Sequence, residues 1–259
     1  MTRQNVGEVT AYEGYFRARN RQVAYGFSIG VLMLDCAIPF IPGDVGNAST
    51  YAFPVQFHLV SAATPDAIAV RQDPEVAPIL VEAAQYLVAQ GVRAITSNCG
   101  FMAAYQGAVA DGVDVPVFLS TLMQVPLILC MLRASQKLAV VVANRSLVTE
   151  SLLDAAGIVQ PLRDRCIFVG LEDQPAFSST FLAESGELDV AAVQAEVVES
   201  AIRVVSESPS VGAFLLECSD LPPYSAAVQR ATGRPVFDWI GFINLVHHAV
   251  VQQPHGGFF

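Results

Sequence analysis

Apolar runs rich in Val, Ile, Leu and Phe alternate along the chain with stretches whose apolar residues recur every three or four positions. The first kind predicts strands and the second helices. Strands are expected at AYGFSIGVLML (24–34), YAFPVQFHLV (51–60), VRAITSN (92–98), VPVFL (115–119), KLAVVVAN (137–144), RCIFVG (165–170), VGAFLLE (211–217) and PVF (235–237). Helices are expected at 77–90, 101–110, 122–134, 146–156, 189–207, 221–231 and 241–251. Gly91, Gly112, Gly157 and Gly233 fall at or near the ends of predicted helices, where C-terminal caps belong. Strand and helix in alternation indicate an α/β protein built on parallel sheets.

The pattern also repeats itself. Shifting the chain by 119 positions lays VRAITSNC on VGAFLLEC, with Cys99 on Cys218. Without a gap, Tyr105 then falls on Tyr224, Val109 on Val228, and Pro116-Val117-Phe118 on Pro235-Val236-Phe237. Identical Cys, Tyr and Pro-Val-Phe at one offset point to an internal duplication. Two such halves facing one another place their cysteines on opposite walls of a shared cleft.

Composition narrows the function. The 259 residues are 53% hydrophobic and 15% charged, which favours tight packing, and the net charge of −10 argues against nucleic acid or an anionic membrane as partner. The N-terminal segment lacks the apolar core of a signal peptide. The long uncharged run from Val115 to Leu132 is interrupted by Pro116, Ser120, Thr121, Gln124 and Pro126, so strand, turn and helix are expected there rather than a membrane span. Five cysteines without framework spacing suggest free thiols and a cytoplasmic location. Arg17, Arg19 and Arg21 are expected to be solvated or to contact another subunit.

Each repeated cysteine follows a strand and precedes a helix, so the helix dipole and free amides are expected to lower its thiol pKa. Gly100 permits close backbone approach to a ligand, and Ser219 or Asp220 is a candidate N-cap. A thiolate on one side of a carbon acid and a thiol on the other can remove and return a proton with inversion. Cys36, Cys130 and Cys166 have no repeat partners and are expected in core or surface positions. Cys99, Cys218, His58 and His247 or His248 are donors of the kind zinc takes, but no metal-ligand spacing joins them. Lys137, the only lysine, opens a strand and is misplaced for a Schiff base, so neither metal nor cofactor is expected.

The strand–Cys–helix unit repeated as SNCGF and LECSD, with the loop CAIPFIPGDVGNAST after the first strand, resembles the aspartate/glutamate racemase superfamily. That group includes hydantoin racemases, maleate isomerases and arylmalonate decarboxylases, and the resemblance runs from about Ala24 to Val251. It implies two pseudo-symmetric lobes, each a mainly parallel sheet flanked by helices, with the active site in the cleft between them. Residues 1–23 would form an N-terminal arm, 24–119 with 238–259 the first lobe, and 120–237 the second.

By the same resemblance Cys99 and Cys218 are the acid/base pair. Ser97, Asn98 and Gly100 line one carboxylate pocket and Ser219 the other, while Ser120, Thr121 and Asn47 face substrate. Glutamate racemases carry Asn-Thr after the first cysteine and Thr-His after the second. Gly100-Phe101 and Ser219-Asp220 stand here instead, and with Phe40 and Ile41 nearby they hint at a less polar ligand. The expected function is therefore cofactor-independent racemisation or epimerisation of an amino acid, hydantoin or related carboxylate. Maleate-type cis–trans isomerisation through a nucleophilic cysteine, and ligand binding without chemistry, are the alternatives. Expected partners are the small-molecule substrate and further copies of the chain.

Overall fold

A computed structural model describes residues 17, 18, 20 and 22–256; Arg19, Arg21 and most of the expected N-terminal arm lie outside these residues. The first sheet holds β1 (Ile29–Leu34), β2 (Val55–Val60), β3 (Ala94–Ser97) and β4 (Val117–Phe118) in the order β2-β1-β3-β4, all parallel. The second holds β5 (Lys137–Val142), β6 (Cys166–Gly170), β7 (Val211–Leu216) and β8 (Val236–Phe237) in the order β6-β5-β7-β8, again all parallel. The two halves thus share one topology, and β3 and β4 map onto β7 and β8 at the offset that aligns the cysteines.

This strand order fixes where a ligand can sit. After β1 the chain turns to one side to form β2, then crosses to the other to form β3, so the connections leaving β1 and β3 diverge and open a crevice beyond their C-terminal ends. The same holds for β5 and β7. The segments that leave these four strands carry Cys36, Cys99, Asn144 and Cys218.

The helices are α1 (Val76–Ala89), α2 (Gln106–Asp111), α3 (Val125–Met131), α4 (Glu150–Ala155), α5 (Pro175–Phe177), α6 (Val190–Glu207), α7 (Ser225–Thr232) and α8 (Trp239–Val250). Four predicted helices begin instead with a 3-10 turn, at Gly100–Tyr105, Thr121–Gln124, Arg145–Leu147 and Pro222–Tyr224. Spacing by three serves a 3-10 turn as well as an α-helix, so periodicity alone does not separate them. Gly233 caps α7 with a left-handed φ of 64°, whereas Gly112 after α2 stays right-handed at −88°. Among the described residues, no helix is long and apolar enough to cross a membrane.

One continuous core joins the halves, running from Leu32 and Ile95 of the first sheet to Val140 and Leu215 of the second. The last helix, α8, leaves β8 of the second sheet but buries Trp239 and Ile243 against Ile29, Val31 and Phe118 of the first. Asp238 starts it by accepting from the Gly241 amide at 2.8 Å. The Trp239 indole donates to the Glu217 carbonyl at 2.5 Å, fixing the end of β7 from the first sheet's side. Trp239→Ala removes this fully buried side chain and is expected to lower the unfolding free energy by about 3–5 kcal/mol in urea titrations; a loss below about 1 kcal/mol would deny it this role.

Candidate active site

The four strand ends enclose a cavity of about 90 Å³. Cys99 and Cys218 both line it, and so does Cys36, for which no chemical position was expected. Asn98, Gly100, Glu217, Ser219 and Asp220 supply most of the remaining polar wall. Phe40, Phe101 and Phe181 supply its aromatic lining, and among the described residues no Lys, Arg or His lines it.

On the β7 side, the Cys218 thiol donates to Oδ2 of Asp220 at 3.3 Å. Asp220 and Asp44 are buried and hydrogen-bonded carboxyl to carboxyl, which requires a shared proton. Burial, then the negative charge of Asp220, pushes the Asp44 carboxyl up to about 10, and Asp44 therefore holds that proton. The Asp44 hydrogen bond opposes the burial that raises Asp220 and so helps keep its carboxylate ionised. Burial, followed by the charges of Asp220 and Glu217, raises the Cys218 thiol well above its ordinary value.

Cys99 lies on the β3 side, where the amides of Phe101 and Met102 point at its sulfur. Burial and the Glu217 carboxyl nevertheless raise its pKa, while Cys36 is pushed up to about 12 by burial and then by Asp220. The expected lowering of the thiols by a helix dipole is therefore wrong in sign. Desolvation and neighbouring carboxylates outweigh the dipole of one short turn. Nor does Ser219 or Asp220 cap a helix, since the 3-10 turn beyond them, Pro222–Tyr224, has Leu221 at its N-cap and no side-chain cap.

Glu217, which precedes Cys218, is the most consequential residue the sequence reading passed over. It is 1% exposed, and its Oε1 has no hydrogen-bond partner. Burial and then Asp220 raise its carboxyl to about 8. A Cβ at position 100 would collide with that oxygen, so Gly100 makes room for the Glu217 carboxyl. At the repeat offset Glu217 corresponds to Asn98, whose Oδ1 accepts from the Leu34 amide at 2.7 Å. The paired strand ends thus present an amide in one half and a carboxyl in the other.

The structure places Asn98, Gly100 and Ser219 at the cavity, but not Ser97, Ser120, Thr121 or Asn47. Ser97 donates to the Leu119 carbonyl at 2.7 Å, tying the end of β3 to the chain beyond β4. Ser120 caps the following turn through the Leu122 amide, and Thr121 donates to the Glu217 carbonyl at 3.3 Å. Asn47 is spent inside its loop, donating to Phe40 and accepting from Ser49. That loop presents Asp44, which the sequence allows equally as a simple turn residue. His58 lies against Tyr86 and His247 stacks on Phe53, so the zinc-type donors do not converge.

No family model matches the chain. Over 237 residues it is 33% identical to dimethylsulfoniopropionate lyase 7 of Emiliania huxleyi (strain CCMP1516), covering 89% of this chain and 69% of that one. A dimethylsulfoniopropionate lyase of Durusdinium sp. clade D is 30% identical, with 89% and 77% covered. The chain belongs to the dimethylsulfoniopropionate lyase family. It spans 61% of the length of another member, lyase 3 of Emiliania huxleyi (strain CCMP1516), at 33% identity.

Among solved structures, an allantoin racemase from Klebsiella pneumoniae superposes with a TM-score of 0.60 at 19% identity, covering 88% of this chain and 91% of that one. Unliganded arylmalonate decarboxylase gives 0.53 at 18% identity, with 88% and 94% covered. These likenesses establish the fold of the aspartate/glutamate racemase superfamily. Membership of the lyase family makes the chain an enzyme and corrects the expected racemase activity, together with the isomerase and binding-protein alternatives. The two-lobed fold carries more than one chemistry, so fold likeness alone pointed to the wrong reaction.

The Asp44 pair gives a test of the electrostatics. Native Asp44 keeps a proton that the unfolded chain releases above its ordinary 3.8, so this group's contribution to stability falls as pH rises toward about 10. Asp44→Asn can still donate to Asp220 but does not titrate. Urea unfolding at about pH 5 and about pH 9 is expected to show a smaller alkaline loss in the variant than in the wild type. Equal losses would contradict the shared proton.

Proposed function

We propose that the chain is a carbon–sulfur lyase that eliminates dimethyl sulfide from dimethylsulfoniopropionate, with Cys218 as the base. The observation that carries this reading is the 33% identity to a lyase of that substrate across 237 residues. The cavity supports it through its acidic and aromatic lining, which suits a sulfonium cation.

The chemistry needs a single base. A hydrogen on the carbon next to the substrate carboxylate is removed as a proton, and the electron pair forms the double bond. The carbon–sulfur bond breaks with its pair going to sulfur, so the sulfonium departs as neutral dimethyl sulfide and requires no acid. Acrylate remains. Cys218 gives its thiol proton to Asp220, takes the substrate proton as thiolate, and Asp220 returns its own proton to solvent. Asp44 supports the acceptor form of Asp220 by donating to it.

Cys99 acts differently in this reading. It stays a thiol and, with the Asn98 amide, donates toward the carboxylate as enediolate charge develops there. Oriented donors of this kind are most effective where water is excluded.

Cys218→Ser is expected to lower turnover by about 10²–10⁴-fold, and Asp220→Asn by a smaller factor, with the unfolding midpoint of the serine variant little changed. Headspace gas chromatography of dimethyl sulfide, with proton NMR of acrylate, measures both. No release by the wild type, or undiminished release by Cys218→Ser, would overturn the assignment.

A further inference from the structure

We propose that Glu217 is the counter-ion for a cationic onium group on the substrate, so that the cavity selects a zwitterion over a neutral-tailed carboxylate of the same shape. This deepens the lyase reading and rests on it for the identity of the substrate.

Glu217 is 1% exposed, lines the cavity and leaves Oε1 without a hydrogen-bond partner. A buried carboxyl in that condition is costly unless something meets it. Among the described residues no basic side chain lines the cavity, so none of them supplies a cation to answer it. The other cavity carboxylate is already committed, because Asp220 accepts from Cys218 and pairs with Asp44. Asp220 Oδ1 also lacks a partner, but among the described residues Glu217 is the cavity carboxyl that neither a thiol nor a second carboxyl engages through a hydrogen bond.

The surroundings indicate which kind of cation. An ammonium with N–H groups needs several convergent acceptors; the cavity has Asn98, Asn144, Ser219 and Asp220 besides Glu217, but three of its lining residues, Phe40, Phe101 and Phe181, are aromatic. A methyl-capped sulfonium or quaternary ammonium carries diffuse charge and no donor. Aromatic faces with one carboxylate nearby match such a group.

The duplication supplies the other end. Asn98 occupies the position in the first half that Glu217 occupies in the second. Its Oδ1 is held by the Leu34 amide, which leaves the amide nitrogen as a donor for the substrate carboxylate. One pseudo-symmetric pair therefore reads both charges of a zwitterion, with the reacting carbon between Cys99 and Cys218. Gly100 belongs to the same device, because any larger residue would occupy the space of the Glu217 carboxyl.

Proton linkage follows from this placement. The groups facing Glu217 are Cys99, Cys218 and Asp220, with Cys36 and Asp44 beyond them, and each is either neutral or negative. Burial and then Asp220 push the free carboxyl up to about 8, and an arriving cation favours its ionised form. Binding near neutral pH therefore releases a proton from Glu217.

The test uses two unreactive ligands on the full chain, 3-(trimethylammonio)propanoate and its neutral tert-butyl counterpart, 4,4-dimethylpentanoate. Isothermal titration calorimetry of the wild type is expected to favour the cation by at least about thirtyfold, and Glu217→Gln to bring the two near parity by weakening only the cation. Wild-type titrations in buffers of different ionisation heat are expected to show proton release with the cation alone, a readout that survives if the variant fails to fold. An unchanged preference in Glu217→Gln, no proton release, or no wild-type binding of the cation would overturn the proposal. Because neither ligand reacts, cation selectivity lost in Glu217→Gln without any dimethyl sulfide release would sink the lyase reading and leave the counter-ion standing. Release with unchanged selectivity would do the reverse.

Discussion

The site depends on a proton shared between two buried carboxyls, Asp44 and Asp220. Neither could be buried as a lone anion without severe cost, and together they hold one charge instead of two. The loop after β1 exists in its observed form to bring Asp44 there. Thr50 donates to the Asp44 carbonyl at 2.8 Å, Tyr51 to the Val45 carbonyl at 2.8 Å, and the Gly46 amide to Asp44 Oδ1 at 2.7 Å. The Val45 amide then donates to the Ser219 carbonyl, and the Ser219 hydroxyl to the Asn98 carbonyl. These bonds stitch the two cysteine-bearing strand ends together across the duplication.

In the proposed lyase reading, that arrangement lets a racemase fold accommodate an elimination. In both reactions a thiol meets a carbon acid beside a carboxylate. Racemisation must return a proton from the opposite side, so both thiols change protonation state. With a sulfonium on the neighbouring carbon, the electron pair leaves with sulfur instead. The second thiol is then released from proton return and becomes a donor. In the proposed reading, what distinguishes the chemistries is the acidic and aromatic lining of the cavity, which would receive the sulfonium.

The sequence made the scaffold legible because parallel strands are short, apolar and bounded by turn residues. All eight expected strands occur, and the Cys99–Cys218 register led directly to the cavity. Side-chain direction at a strand end was not legible: Ser97, Ser120 and Thr121 look cleft-facing in one dimension yet satisfy backbone groups instead. Glu217 went unread because a glutamate closing an apolar strand carries no spacing signal until its burial is known. Its alignment with Asn98 in the repeat was the available clue. The thiol pKa was misjudged in sign because the helix terminus is visible in sequence and desolvation is not.

A crystal structure with 3-(trimethylammonio)propanoate bound would test the central claim most directly. The account predicts the ligand in the cavity between the sheets, its carboxylate at the Asn98 amide, its methyl-capped nitrogen beside Glu217 and its α-carbon in contact with the Cys218 sulfur. A ligand bound reversed, or outside that cavity, would contradict it.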